Sequence, residues 1–82
     1  MGEFSEIVVW DAWNRAGRKC ECHRTTHNHF YIRCDRELVW EYRGREGRYA
    51  WEVHHITSQE IGGQPILSNC EILCWDCHKA MP

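Results

Sequence analysis

The chain has 82 residues, 43% hydrophobic and 27% charged, with six Cys, six His, five Trp and a formal net charge of −2. That length allows one domain, expected to span 1–82, and a domain so small commonly needs a disulfide, a metal or a partner to hold it together. No apolar run approaches the ~18 residues of a membrane-spanning helix, and Met1–Val9 lacks the charged-then-apolar pattern of a signal peptide, so composition disfavours a membrane protein, a secreted disulfide-rich miniprotein, a disordered tail and a multidomain enzyme; the expectation is a cytoplasmic protein with reduced cysteines and no membrane partner.

Ser5 precedes Ile7, Val8, Val9, Trp10 and Trp13, apolar positions at roughly three- and four-residue intervals. They predict a helix within 1–19 with Ser5 as N-cap, Glu6 in its first turn, one buried face and a stop at Gly17. Such a helix is expected to cover the core and to carry no chemistry. Cys20 to Cys34 has no periodicity and is crowded with Cys22, His23, His27 and His29; it reads as an irregular loop organised by something other than apolar packing. Leu38–Tyr42 is a predicted strand, and Arg43–Arg48, with Gly44 and Gly47, a turn. Tyr49–Ile56 is a second predicted strand, rich in aromatic and β-branched residues. Thr57–Ser68 is a polar loop with Gly62, Gly63 and Pro65, Cys70–Leu73 a short apolar strand, and Trp75 opens a helix cut off by Pro82.

Two groups of residues carry chemistry. Cys74 and Cys77 have the spacing of a metal knuckle entering a helix, and a closed structural zinc site needs four ligands. The other pair comes from Cys20, Cys22 and Cys34; Cys20 and Cys34 are favoured, Cys22 can replace Cys20, and a second zinc on Cys22, His27 and His29 lacks an obvious fourth ligand. The other group is His54, His55, Asn69 and His78. Neighbours on a strand point to opposite faces, so one of the two adjacent histidines can bind a metal while the other addresses a substrate, provided the strand ends there. His78 follows the knuckle and can face back toward His54. Arg33, Arg36, Arg43, Arg45 and Arg48, interleaved with Tyr31, Trp40, Tyr42 and Tyr49, form either a solvated hairpin surface or a phosphate-contacting face.

These residues resemble the HNH endonuclease family over about Arg18–Ala80. The match lies in Trp51-Glu-Val-His-His-Ile56, then Gly62-Gly63, then Ser68-Asn-Cys-Glu-Ile-Leu-Cys-Trp-Asp-Cys-His-Lys79. The resemblance implies a small α+β, zinc-stabilised fold of the ββα-metal, treble-clef-like kind with an N-terminal helix, the chain dividing into that helix (1–19), a zinc loop and hairpin (20–48) and the ββα-metal motif (49–82). It implies His55 as general base, His54 and His78 as ligands of one catalytic divalent cation, Asn69 as a brace for the loop, and Lys79, Arg45 and Arg48 as phosphate contacts. The implied reaction is hydrolysis of DNA phosphodiester bonds, a nick in one strand unless a second protomer or a larger assembly takes part, in a phage, prokaryotic or mobile-element setting. Paired imidazoles favour Mn, Co, Ni or Zn over Mg as the catalytic ion. The near-neutral balance argues against tight non-specific duplex binding. The competing readings are a non-catalytic zinc-stabilised nucleic-acid-binding module, which needs no base beside a metal ligand, and a thiol redox protein using Cys74 and Cys77, which needs an exposed reactive thiolate.

Overall fold

The computed structural model describes residues 3–23 and 33–80. Helix α1 spans Glu6–Ala16. The Ser5 hydroxyl accepts a bond from the Val8 backbone N–H, satisfying one of the unpaired donors at the helix start. Gly17 ends the helix at φ 68°, a left-handed position that suits glycine, where the Gly17 and Arg18 amides bond Asn14 and Trp13 carbonyls. Its buried face is Val9, Ala12, Trp13 and Ala16, while Ile7 and Trp10 stay 75% and 50% exposed. The apolar stripe is therefore narrower than the sequence pattern predicts, and Trp10 reaches the core only by its edge, against Trp40.

The sheet has two antiparallel strands, β1 (Trp51–His55) and β2 (Cys70–Cys74), in a register that sets Trp51 opposite Cys74 and His55 opposite Cys70. Helix α2, Trp75–Lys79, follows β2 without a break, with Cys74 as its N-cap. Trp51 packs on Trp13 at 4.6 Å between ring centroids and His55 on Phe4 at 4.2 Å, so this sheet face belongs to α1 and the arm before it. Alternation turns Glu52 and His54 to the other face, where His78 of α2 shares one cavity wall with each of them.

Leu38–Tyr42 is not a strand. Trp40–Tyr42 forms one 3-10 turn. The Trp51 indole N–H takes the Val39 and Trp40 carbonyls, at 2.9 and 3.3 Å, and the Trp40 ring packs against Trp13 and Trp51. Aromatic contacts of this kind contribute about 0.5–1.5 kcal/mol each beyond area burial, and they decide the conformation over strand propensity. In place of the predicted hairpin, an isolated parallel bridge joins Arg43 to Trp51, and the Val39 N–H donates to the Tyr49 carbonyl at 3.1 Å.

Candidate active site

Two segments fourteen residues apart, around Cys20 and Cys34, meet through backbone hydrogen bonds. Cys20 N–H donates to Arg36 O at 3.0 Å, Asp35 N–H to Cys20 O at 3.2 Å and Cys34 N–H to Cys22 O at 2.9 Å. This pairing carries Cys20 and Cys34 to Cys74 and Cys77, and one sulfur from each of the four lies within 4.8 Å of all the others. Zinc–thiolate bonds of about 2.3 Å in a tetrahedron put sulfurs about 3.8 Å apart; the Cys34–Cys74 separation is 4.0 Å. The set thus fits a metal such as zinc. Cys22 is buried outside the group, and His27 and His29, invoked for a second zinc, lie outside the described residues, as does Tyr31.

The sulfurs are also electrostatically unlike. Hydrogen bonds from the Cys20 and Cys77 thiols, with the Arg36 guanidinium adding its field, hold the Cys74 thiol well below the ordinary thiol range. The same bonds keep the protons on Cys20 and Cys77 and push both thiols up. One thiolate sharing its neighbours' protons is a ligand set in which a cation can replace those protons. Cys70 is different. Burial pushes its thiol up to about 11, against a smaller opposing pull from Arg15. A raised value keeps the thiol neutral at neutral pH, and the thiolate is the nucleophile. Iodoacetamide at neutral pH is therefore expected to leave Cys70 unmodified in the folded protein and to label it on unfolding; mass mapping of the labelled cysteines checks this.

The histidines gather at the opposite end of the sheet. His54, His55 and His78 line one open cavity of about 460 Å³, together with Val53 and Ser58–Glu60. Strand β1 ends at His55, which lets histidines from opposite faces border the same space. His78 arrives because α2 turns back from the cysteine group, and it directly follows Cys77 on that helix.

Asn69 clamps the loop between the strands. Its Oδ1 accepts from the Thr57 N–H at 2.7 Å, and its Nδ2 donates to the Thr57 and Gln64 carbonyls at 3.1 and 2.9 Å. Its own carbonyl accepts from the Ile56 N–H at 3.0 Å. Gly63 completes the clamp: a Cβ there would stand 1.7 Å from the Thr57 carbonyl oxygen, so only glycine allows the close approach.

A family model described as HNH endonuclease matches residues 32–81, more than half of the chain. The chain belongs to the HNH endonuclease family. Membership carries a nuclease-like function and a nucleic-acid substrate as its general implication. No curated protein and no solved structure matched the chain. Among the described residues no helix is long and apolar enough to cross a membrane.

The HNH segment leaves out α1 and Cys20, so the fourth sulfur of the group comes from beyond it. The structure also divides the arginine cluster. Arg33 bonds the Ala16, Lys19 and Cys20 carbonyls at the end of α1, Arg36 bonds Asp76, and Arg43 bonds Glu52 and Glu6. Arg45 and Arg48 lie instead over the half-exposed rings of Tyr42 and Tyr49, at 5.5 and 5.3 Å. Arg45 lines a cavity with His78, and Lys79 lies over the Trp75 ring at 4.0 Å.

Sequence reasoning missed Arg15 and Phe4. Arg15 pairs with Glu21 and donates to the Leu67 and Cys70 carbonyls at 3.1 and 2.6 Å, tying α1 to the start of β2. Its partners lie 52 and 55 residues away, beyond the reach of any local spacing rule.

Proposed function

We propose that this HNH domain is a metal-dependent endonuclease that hydrolyses DNA phosphodiester bonds. The observation that carries the reading is the single cavity bordered by His54, His55 and His78, with the Asn69 clamp closing the loop beside it. In this reading residues 49–82 are a ββα-metal motif, the preceding segments its zinc loop and covering helix, and the whole of 1–82 one domain.

His55 is the general base. A water oxygen attacks phosphorus while the His55 imidazole takes the water's proton, and the bond from phosphorus to the 3′ oxygen breaks. The products are a 5′-phosphate and, once that oxygen gains a proton, a 3′-hydroxyl. Neutral imidazole has the basicity for this near neutral pH. His54 and His78 present two imidazoles to the same cavity, a donor set that fits a divalent cation with positions left for water and phosphate. A cation bound there supplies charge stabilisation for the scissile phosphate and the leaving oxygen. Asn69 positions: by pinning Thr57, Gln64 and Ile56 it keeps the end of β1, and so His55, in one place. Arg45, Arg48 and Lys79 serve as contacts to the phosphate backbone. A structural zinc on Cys20, Cys34, Cys74 and Cys77 holds α2 and with it His78.

The test is plasmid nicking with a panel of divalent ions. Strong nicking is expected with manganese or nickel and weaker nicking with magnesium, because imidazole suits the former and magnesium prefers hard oxygen ligands. Strong cleavage with magnesium and none with manganese would reject His54 and His78 as the ligands. DNA binding with no cleavage under any ion would favour a zinc-stabilised binding module.

A further inference from the structure

The ring of Phe4 stacks on the imidazole of His55, with centroids 4.2 Å apart and planes 27° from parallel. Phe4 is 8% exposed and belongs to the core cluster that contains Val9. It directly precedes the N-cap Ser5, the position from which an apolar side chain staples onto the first turns of a helix. That stapling role accounts for its burial. It does not account for a flat ring laid on the one histidine of β1 that faces α1. His55 is the last residue of its strand, where the ladder no longer restrains a side chain on both sides. The Asn69 clamp holds the backbone just beyond it, through the Ile56 N–H to Asn69 O bond of 3.0 Å. The Phe4 ring holds the side chain itself, stacked on it at the α1 face of the sheet.

We propose that Phe4 is a positioning residue for His55, so that the arm before α1, outside the matched HNH segment, completes the active site. This rests on the nuclease reading with His55 as base. A base must stand within hydrogen-bond reach of its proton, and a misplacement of ~1 Å can cost about 100-fold in rate. A leucine at position 4 retains the apolar staple and loses the flat ring; a tyrosine retains both.

The full-length chain carrying Phe4→Leu or Phe4→Tyr is compared with wild type by nicking kinetics under manganese, with zinc content measured alongside. The His55 ring-proton resonances report the stack independently of activity. The expected result for Phe4→Leu is a fall in kcat of about tenfold with KM unchanged, together with loss of the ring-current shift on His55. Phe4→Tyr is expected to restore both. Should Phe4→Leu lose its zinc, Phe4→Met makes the same comparison. Wild-type kcat in the leucine or methionine variant, or a tyrosine variant as impaired as they are, overturns the role of Phe4 alone. A wild type that fails to cleave under every ion tested overturns the nuclease reading, and this role falls with it.

Discussion

Cys77→Ser is expected to lose the zinc and to unfold. A structural zinc of this type contributes roughly 10–16 kcal/mol to a small domain, whereas whole domains are stable by only about 5–15 kcal/mol. Removing it therefore exceeds what α1, the Trp13–Trp51 contacts and a sheet of five-residue strands can retain. A serine hydroxyl is a far poorer zinc ligand than a thiolate, so three remaining sulfurs do not hold the site closed. Metal content by mass spectrometry and a thermal melt followed by circular dichroism check the prediction. A cooperative melt in zinc-free Cys77→Ser protein would show that the apolar core alone suffices. The same substitution also tests how the two halves of the site are joined. Cys77 and His78 are consecutive on α2, so a folded variant with a displaced knuckle would still lose His78 from the cavity.

His55→Ala should leave the fold and zinc intact and reduce nicking by about 10²–10⁴-fold, the usual contribution of a positioned general base. The cost in stability is small: the side chain is half-buried, and the Phe4 stack that it gives up is worth about 0.5–1.5 kcal/mol. Plasmid nicking under manganese, with zinc content measured on the same samples, separates the two effects. Equal cleavage by wild type and variant would remove His55 as base. A loss of cleavage accompanied by a loss of zinc would assign His55 to the fold.

What could be read from sequence follows from local rules. Ser5 and Gly17 mark the ends of α1 because caps answer to backbone groups within one turn. The strand with His54-His55, the strand from Cys70 and the short helix from Trp75 are likewise local in origin. The Leu38–Tyr42 segment defeated the same reasoning. Its β-like composition was overridden by Trp40, which turns into an aromatic cluster built from α1 and β1.

The arginines mark the boundary most clearly. Five within sixteen residues read alike in sequence, but Arg33, Arg36 and Arg43 are spent on carbonyls and carboxylates inside the fold, while Arg45 and Arg48 lie over exposed tyrosines. What sets Arg33, Arg36 and Arg43 apart is partners 9 to 40 residues away, which no local pattern reveals. The chain by itself determined its family, its caps and the residue types gathered in the knuckle and in the histidine motif, because those depend on spacings of a few residues. The tertiary structure decided that Cys20 and not Cys22 joins the favoured sulfurs, that three histidines border one cavity, and that Phe4 lies on His55. Each of these closes a loop of fourteen residues or more, and which loops close depends on packing across the whole domain.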